Sequence, residues 1–353
     1  MIRTTQPNCT LARLLLGLAS GDALGSTSEF FGFDQVQRLL EGDEHAGWPF
    51  RQVGGGRLGW RVGEPTDDTE MAAALVESFL GSGGFDPIDL GRRWIEWMDS
   101  KPPDIGATTR DILRAIKRGA AWNQAGRDLY RERPQALANG SLMRNGVVRG
   151  LCSKIDEAWD LSLRHGMITH YAPLPVLCCA AQTWLIDGLL RNTSPFDHGW
   201  TERFIDAWRL WIEAAATPWT QAWLSETWPH LDEAIEQVRD ADFDPDRFDP
   251  FQLDLTETAG YCLTTLQIAV WATRWAVRGD QIPLPPWVPT HVRERARGSY
   301  SLAAVALIGH DSDTYAATAG PMIAAATGQV PAEFTEGLEI NSRTQLWETV
   351  RGS

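Results

Sequence analysis

Pro65-Thr66-Asp67-Asp68-Thr69-Glu70-Met71-Ala72-Ala73-Ala74-Leu75-Val76 carries the start signal of a helix and then its apolar body. Thr66 reads as the N-cap. Asp67 and Asp68 fall in the first turn, where free N–H groups and the macrodipole favour negative charge. Read alone, an acidic first turn is an ordinary cap. A second stretch, His310-Asp311-Ser312-Asp313-Thr314, again precedes an Ala-rich helix. Hard divalent cations such as Mg²⁺ take carboxylate and hydroxyl oxygens. Two Asp/Thr clusters so far apart suit a two-metal site only if the fold brings them together.

Outward from Thr66 the pattern is helical almost throughout. Leu90–Met98, Thr108–Trp122, Ile155–Arg164, Pro175–Leu190, Phe204–Ala215, Thr256–Val277 and Tyr300–Leu307 carry apolar residues at three-to-four spacing. Alternating β-branched runs between turn residues are nearly absent. The fold class read from this is all-α. Upstream, Thr10–Ala23 reads as a buried helix capped by Thr10 and ending at glycines. Its Leu14–Ala19 run is too short to span a membrane and abuts Arg13, and no other stretch is expected to span one. Phe30–Trp60 reads as loop with one short helix. Gly54-Gly55-Gly56-Arg57-Leu58-Gly59 matches GxGxxG by spacing, yet no apolar strand precedes it and Pro65 follows, so a flexible loop is expected.

With 353 residues and 43% hydrophobic content, a sizeable core is assured. A net charge of −14 argues against nucleic acid as a partner. Five cysteines without CxxC spacing read as reduced thiols of a cytoplasmic protein. Trp200 to Trp228 holds six tryptophans. Core packing of an inserted helical pair is one reading and a recognition surface the other. Asp240, Asp242, Asp244 and Asp246 imitate a calcium loop, but Pro245 stands where the turn needs Gly, so a solvated acidic linker is expected.

Five further stretches join the two Asp/Thr clusters. They are Gly21-Asp22-Ala23-Leu24-Gly25 leading to Glu29, Pro102-Pro103-Asp104-Ile105-Gly106, Asn139-Gly140-Ser141-Leu142-Met143-Arg144, Thr169-His170, and Gly260-Tyr261. In this order the set resembles the ADP-ribosylglycohydrolase family, which includes the dinitrogenase-reductase-activating glycohydrolases. The likeness runs from about residue 10 to about 328. It implies a compact, orthogonal multi-helix fold and one such domain over 1–353, with the Trp/Asp-rich segment at about 187–254 least familiar. It implies two Mg²⁺ (or Mn²⁺) ions held by Thr66, Asp67, Asp68, Asp311, Asp313 and Thr314. Glu29 matches the glutamate beside the metals, and Asp104 the acid that faces the scissile sugar in arginine-directed members. Gly106, Asn139, Gly140, Ser141, Met143, Arg144 and His170 match segments that hold ADP-ribose. The last motif usually reads Gly-Gly-Asp-Thr-Asp-Thr; here His310 and Ser312 replace the second Gly and the first Thr.

Each of these residues also has a plain structural reading. Asp22 orders a glycine-rich turn, Asp104 caps Thr108–Trp122, Arg144 salt-bridges an acid, and His170 is a satisfied core histidine. Asp311 and Asp313, two residues apart, converge only where their segment is a turn at a helix start, which Gly309 permits. The activity implied is metal-dependent removal of ADP-ribose from a modified protein side chain, most simply arginine. Two alternatives stand beside it: an immunity protein that binds an ADP-ribosylating toxin, and a hydrolase of a free ADP-ribose metabolite. No membrane partner is expected.

Overall fold

The computed structural model describes residues 9–193, 195–197, 199–214 and 217–339 and is helical nearly throughout. The first half runs α1 (Cys9–Gly25), α2 (Phe33–Glu41), α3 (Asp67–Ser82), α4 (Pro87–Asp99), α5 (Ala107–Lys117), α6 (Trp122–Glu132), α7 (Val148–Leu151) and α8 (Ile155–Met167). Then follow α9 (Pro173–Leu190), α10 (Trp200–Ala214), α11 (Pro218–Asp240), α12 (Cys262–Arg278), α13 (Thr290–Arg295), α14 (Ser301–Ala306), α15 (Ser312–Thr327) and α16 (Ala332–Thr335). Among the described residues, β pairing is limited to isolated bridges such as Gly55 with Trp60. The all-α reading therefore holds.

Local chemistry explains most helix ends. Thr66 caps α3, and Asp86 caps α4 by accepting the Ile88 and Asp89 N–H groups ahead of Pro87. Gly83, Gly279 and Gly328 close α3, α12 and α15 in the left-handed conformation. The expected helix Thr108–Trp122 is instead two, since α5 stops at Lys117 and the Gly119 turn precedes α6. Thr256–Tyr261 is turn rather than helix, and α12 begins at Cys262. Ala215, the expected last residue of Phe204–Ala215, lies outside the described residues.

Helix α15 has its most extensive partner in α1. The glycines of α1 make this possible and do not merely end the helix. A Cβ on Gly21 would lie 2.1 Å from the Ala316 carbonyl oxygen, and one on Gly25 would lie 2.2 Å from that of Ser312. Gly21→Ala would gain about 1 kcal/mol of helix propensity. The backbone overlap costs more, about 1–3 kcal/mol for overpacking in a rigid interior. Net destabilisation in urea unfolding is the expected result, and an unchanged or raised midpoint would contradict this packing.

The α10–α11 pair packs on α9 and α8. Trp200, Trp208 and Trp223 are buried in the same apolar cluster as Trp271 and Tyr315. Trp223 Nε1 donates to the Tyr171 carbonyl at 2.8 Å, and Trp219 packs at a tilt against Trp122 with centroids 4.9 Å apart. Core packing thus accounts for most of the tryptophan-rich segment, and Trp228 is its most exposed indole. The acidic run after it is tied by aspartate turns and by Arg278, which pairs with Asp246 at 2.6 Å, while Phe243 is buried. One expectation needs correction: α9 is long and apolar enough to cross a membrane by length and composition. In this fold 89% of it is buried, as suits a central core helix.

Candidate active site

The N-termini of α3 and α15 meet at the end of α1, and the two Asp/Thr clusters meet with them. Asp67, Asp68 and Asp313 each offer a carboxylate oxygen, all within 4.8 Å of one another. Thr66 Oγ1 lies 3.2 Å from Asp68 Oδ2 and 3.4 Å from Asp313 Oδ2, so one hydroxyl bridges carboxylates of both helices. Thr314 Oγ1 lies 3.4 Å from Asp68 Oδ2. The turn that aims Asp311 and Asp313 is as expected: Gly309 and His310 have φ of +68° and +57°, and Asp311 is the N-cap of α15. Asp311 stands beside the triad rather than in it, because its Oδ2 takes the Asn139 amide at 2.6 Å. Ser312 supports this turn from below through its hydroxyl, 2.8 Å from the Gly25 carbonyl and 2.9 Å from Ser28 Oγ.

Asp22 does more than order its own turn. It is fully buried inside α1 and accepts the Thr66 and Thr69 N–H groups at 3.0 Å, together with the Thr69 hydroxyl. The first turn of α3 is thus bolted to α1 by a carboxylate. The sequence carried one signal for this, an Asp amid small residues on an apolar helix. Gly54–Gly56 is likewise a shaped turn, with φ near +70° to +80° at each glycine, and its Gly54 carbonyl takes the Thr27 hydroxyl at 3.2 Å. The expected flexible loop is therefore a packed wall of the Ser26–Glu29 turn.

Glu29 is buried next to this set, with Asp313, Asp104, Asp311 and Asp67 all close enough to act on it. Burial first, and those charges second, hold its carboxyl far above the usual range. Asp104 is partly exposed, and burial raises it while the Ile105 N–H and the Arg110 charge pull it back. It does not cap α5: the N-cap is Gly106, with no side-chain capping bond. The Gly106 N–H is instead directed to Asp67.

The remaining expected contacts divide by burial. Asn139 touches Asp311 and Thr265, and Gly140 has His170 close beside it, 2.7 Å from where a Cβ would stand. Ser141, Met143 and Arg144 are buried beneath, away from solvent. Arg144 donates to the carbonyls of Gly140 at 2.5 Å and His165 at 3.2 Å and to Thr169 Oγ1 at 2.7 Å, and it lies over the Trp94 ring at 4.4 Å. These three side chains form the floor beneath the Asn139–Gly140 backbone. The salt-bridge reading of Arg144 also fails, since its partners are neutral. His170 is held neutral, its pKa pushed down to about 3 by burial and the Arg144 charge. Thr169 Oγ1 accepts from Arg144 and has its own hydrogen to give His170 Nδ1, 2.8 Å away. The Nε2 of His170 is then the N–H donor.

The residues fit a hard divalent cation. Asp68 Oδ1, Asp313 Oδ1 and Glu29 Oε2 are buried oxygens with no hydrogen-bond partner, which a cation would satisfy. Without one, their mutual repulsion is written into their acidities. Burial raises Asp67 to about 8 and Asp311 to about 7, and raises Asp68 and Asp313 well above the ordinary range. A group that binds its proton more tightly when folded stabilises the fold below its unfolded pKa and loses that contribution as pH rises through the folded value. Cation-free protein is therefore expected to lose stability between pH 6.5 and 8.0. The buried histidines, His165 and His170, are neutral when folded and work against this trend while unfolded histidine sheds its charge just above pH 6.5, but the more numerous buried carboxylates outweigh them. Scanning calorimetry in a chelator should show a fall of at least about 3 °C, given about 1.4 kcal/mol per pKa unit and a few degrees per kcal/mol. Excess Mg²⁺ should abolish it. A melting temperature that rises over this window in the chelator would contradict the clustering.

Comparison with known proteins follows the same lines. The model of a family described as ADP-ribosylglycohydrolase matches residues 11–352. An ADP-ribosylarginine hydrolase of Pseudomonas putida is 32% identical over 176 residues, 47% of this chain and 42% of the relative. An ADP-ribosyl-[dinitrogen reductase] glycohydrolase of Rhodospirillum rubrum is 34% identical over 167 residues, 46% of this chain and 52% of the relative. The chain thus spans about half the length of the curated relatives it matches. A solved ADP-ribosylglycohydrolase-related protein complex superposes with a TM-score of 0.60 at 24% identity, covering 98% of this chain and 96% of that one, and so shares the fold.

Proposed function

The chain belongs to the ADP-ribosylglycohydrolase family, and from that premise we propose that it hydrolyses the bond between ADP-ribose and a protein side chain, the N-glycosidic bond to arginine in particular. The observation that carries this is the meeting of Asp67, Asp68 and Asp313 from two distant helix starts, with Glu29 and Asp104 beside them. Thr66, Asp67, Asp68, Asp311, Asp313 and Thr314 are the groups that would hold two divalent ions, Mg²⁺ or Mn²⁺. Such ions fix sugar hydroxyls and stabilise charge at the reacting centre.

The chain's own groups supply the proton traffic. The C1″–N bond breaks with its electron pair going to the guanidine nitrogen, which takes a proton from a carboxylic acid. Water adds its oxygen to C1″ and returns a proton to the carboxylate. Asp104 is the donor we favour, since it is partly exposed while Glu29 is deeply buried and suited to orienting the water. The His170 Nε2–H and the Asn139–Gly140 backbone, which lie against each other, are the groups that would hold the polar ADP-ribose moiety.

Incubation with arginine-, serine- and ester-linked ADP-ribosyl substrates, with and without Mg²⁺ or Mn²⁺, tests the proposal. Cation-dependent release of ADP-ribose from arginine-linked protein is expected. Release only from free ADP-ribose esters would favour a metabolite hydrolase. No release from any substrate would leave the proposal without support.

A further inference from the structure

One helix runs against the charge of the chain. The protein has 46 acids against 32 lysines and arginines. Helix α5 and its C-cap nevertheless carry Arg110, Arg114, Lys117 and Arg118 with a single acid, Asp111. Asp111 faces Arg133 at 3.7 Å, and Lys117 is held by Asp99 at 2.6 Å. Arg114 and Arg118 are exposed and form no ion pair with a carboxylate among the described residues. Arg110, Arg114 and Arg118 recur every four residues and so share one face of the helix. That face begins at the candidate site, where the Gly106 N–H reaches Asp67 and the Arg110 charge acts on Asp104. It runs outward for about 12 Å from Arg110 to Arg118. The helix dipole favours cations in a last turn. That accounts for their presence, and not for two of them standing unpaired in an acidic protein.

The far end of this face borders an open groove of about 590 Å³, lined mostly by apolar side chains of α4, α5 and α6. Ile95, Ile116 and Trp122 lie along it, and Lys117 belongs both to the groove and to α5's cationic end. Ile88, also in its wall, is 73% exposed. Resting on the reading of the site as an ADP-ribosyl hydrolase, we propose that the outer face of α5 and this groove together dock the protein that bears the ADP-ribosyl group. The docked stretch of that protein is acidic and carries a large apolar side chain. Charge complementarity decides the occupant: two free guanidinium groups attract carboxylates that a chain of net charge −14 repels elsewhere. Nucleic acid offers negative charge too, but its phosphates gain nothing from an apolar groove. From Ala107 to Lys117 the helix rises about 15 Å, the reach of about five extended residues. The apolar side chain therefore belongs about five residues from the modified one, with the acids between them.

The test uses three arginine-linked ADP-ribosyl substrates: free ADP-ribosyl-arginine, a peptide with glutamates on both flanks and a leucine five residues out on each, and the same peptide with lysines for glutamates. Wild-type kcat/KM at low salt is expected to be at least about tenfold higher for the glutamate peptide, a preference that shrinks in about 0.5 M salt. General attraction by an acidic chain favours the lysine peptide instead, so the sign of the preference separates the two cases. The double variant Arg114→Glu/Arg118→Glu should lower the ratio of glutamate-peptide to free-substrate kcat/KM about tenfold, chiefly through KM, and Arg114→Lys/Arg118→Lys should keep most of it. Replacing the peptide leucines by serine should raise KM severalfold. Peptides cleaved alike, or a ratio unmoved in the charge-reversed variant, overturn the proposal, and an unmoved KM for the serine peptide removes the groove from it. Tight binding of a short RNA without any preference between the peptides marks a nucleic-acid surface and overturns it as well. A melting profile reports whether each variant has folded, and if the charge-reversed one has not, the wild-type comparison alone decides. Protein that cleaves free ADP-ribosyl-arginine and both peptides equally loses this proposal and keeps the hydrolase reading. Protein that cleaves none of the three loses the arginine reading and this proposal with it.

Discussion

Asp313→Asn is expected to lower hydrolysis of arginine-linked ADP-ribose by at least about a thousandfold, since charge stabilisation by a held cation is worth several kcal/mol. The same substitution should make the cation-free protein more stable. Asp313 shares a space of 4.8 Å with Asp67 and Asp68, and removing one of three buried acids relieves repulsion while the amide keeps the shape. Loss of activity together with a raised melting temperature in chelator is an outcome that a merely structural aspartate cannot produce. The stabilising effect of Mg²⁺ should shrink in the variant, because the ligand set is incomplete. Turnover near wild type, or a variant less stable than wild type in chelator, would remove Asp313 from the site.

Asp104→Asn carries the second large effect. Positioned proton transfer is typically worth about 10²–10⁴-fold, and a loss of that size in kcat is expected with ADP-ribose affinity little changed. The competing reading, a helix cap, has been removed by the structure: α5 is capped at Gly106, two residues on. Stability should therefore hardly move. Single-turnover rates on arginine-linked protein and calorimetric titration with ADP-ribose separate the two quantities. A variant with near-normal turnover would pass the proton-donor role to Glu29.

The sequence-level expectations fail and succeed for identifiable reasons. Thr66, Asp67 and Asp68 were legible because capping is local: a hydroxyl two residues before its N–H partner needs no tertiary knowledge. The turn at Asp311–Asp313 was legible because two acids at that spacing demand an irregular backbone, and Gly309 and His310 provide it. Helix positions followed from apolar periodicity, apart from the break at Gly119, which one glycine in an amphipathic run barely signals. Motif order picked segments that the fold brings together, but not the depth of their residues. Arg144 and Ser141 lie in one of those segments, yet their full burial depends on α8 and α9, where their partners stand 21 and 38 positions on. Asp22 was underestimated for the same reason, since its partners lie 44 and 47 positions away. Likewise, nothing local joins Ile88 to Trp122 around one groove.

The two acidic helix starts also set a clock. Thr314 and Asp68, in contact in the folded chain, are separated by 246 positions. At translation rates of about 5–20 residues per second, roughly 12–50 s pass between synthesis of the first cluster and synthesis of the second. During that interval Asp67 and Asp68 have no α15 to complete their site, and α1 lacks its principal neighbour. On the proposed reading, cation capture is thus a late event in the life of each molecule, because the ligand set is incomplete until α15 has docked.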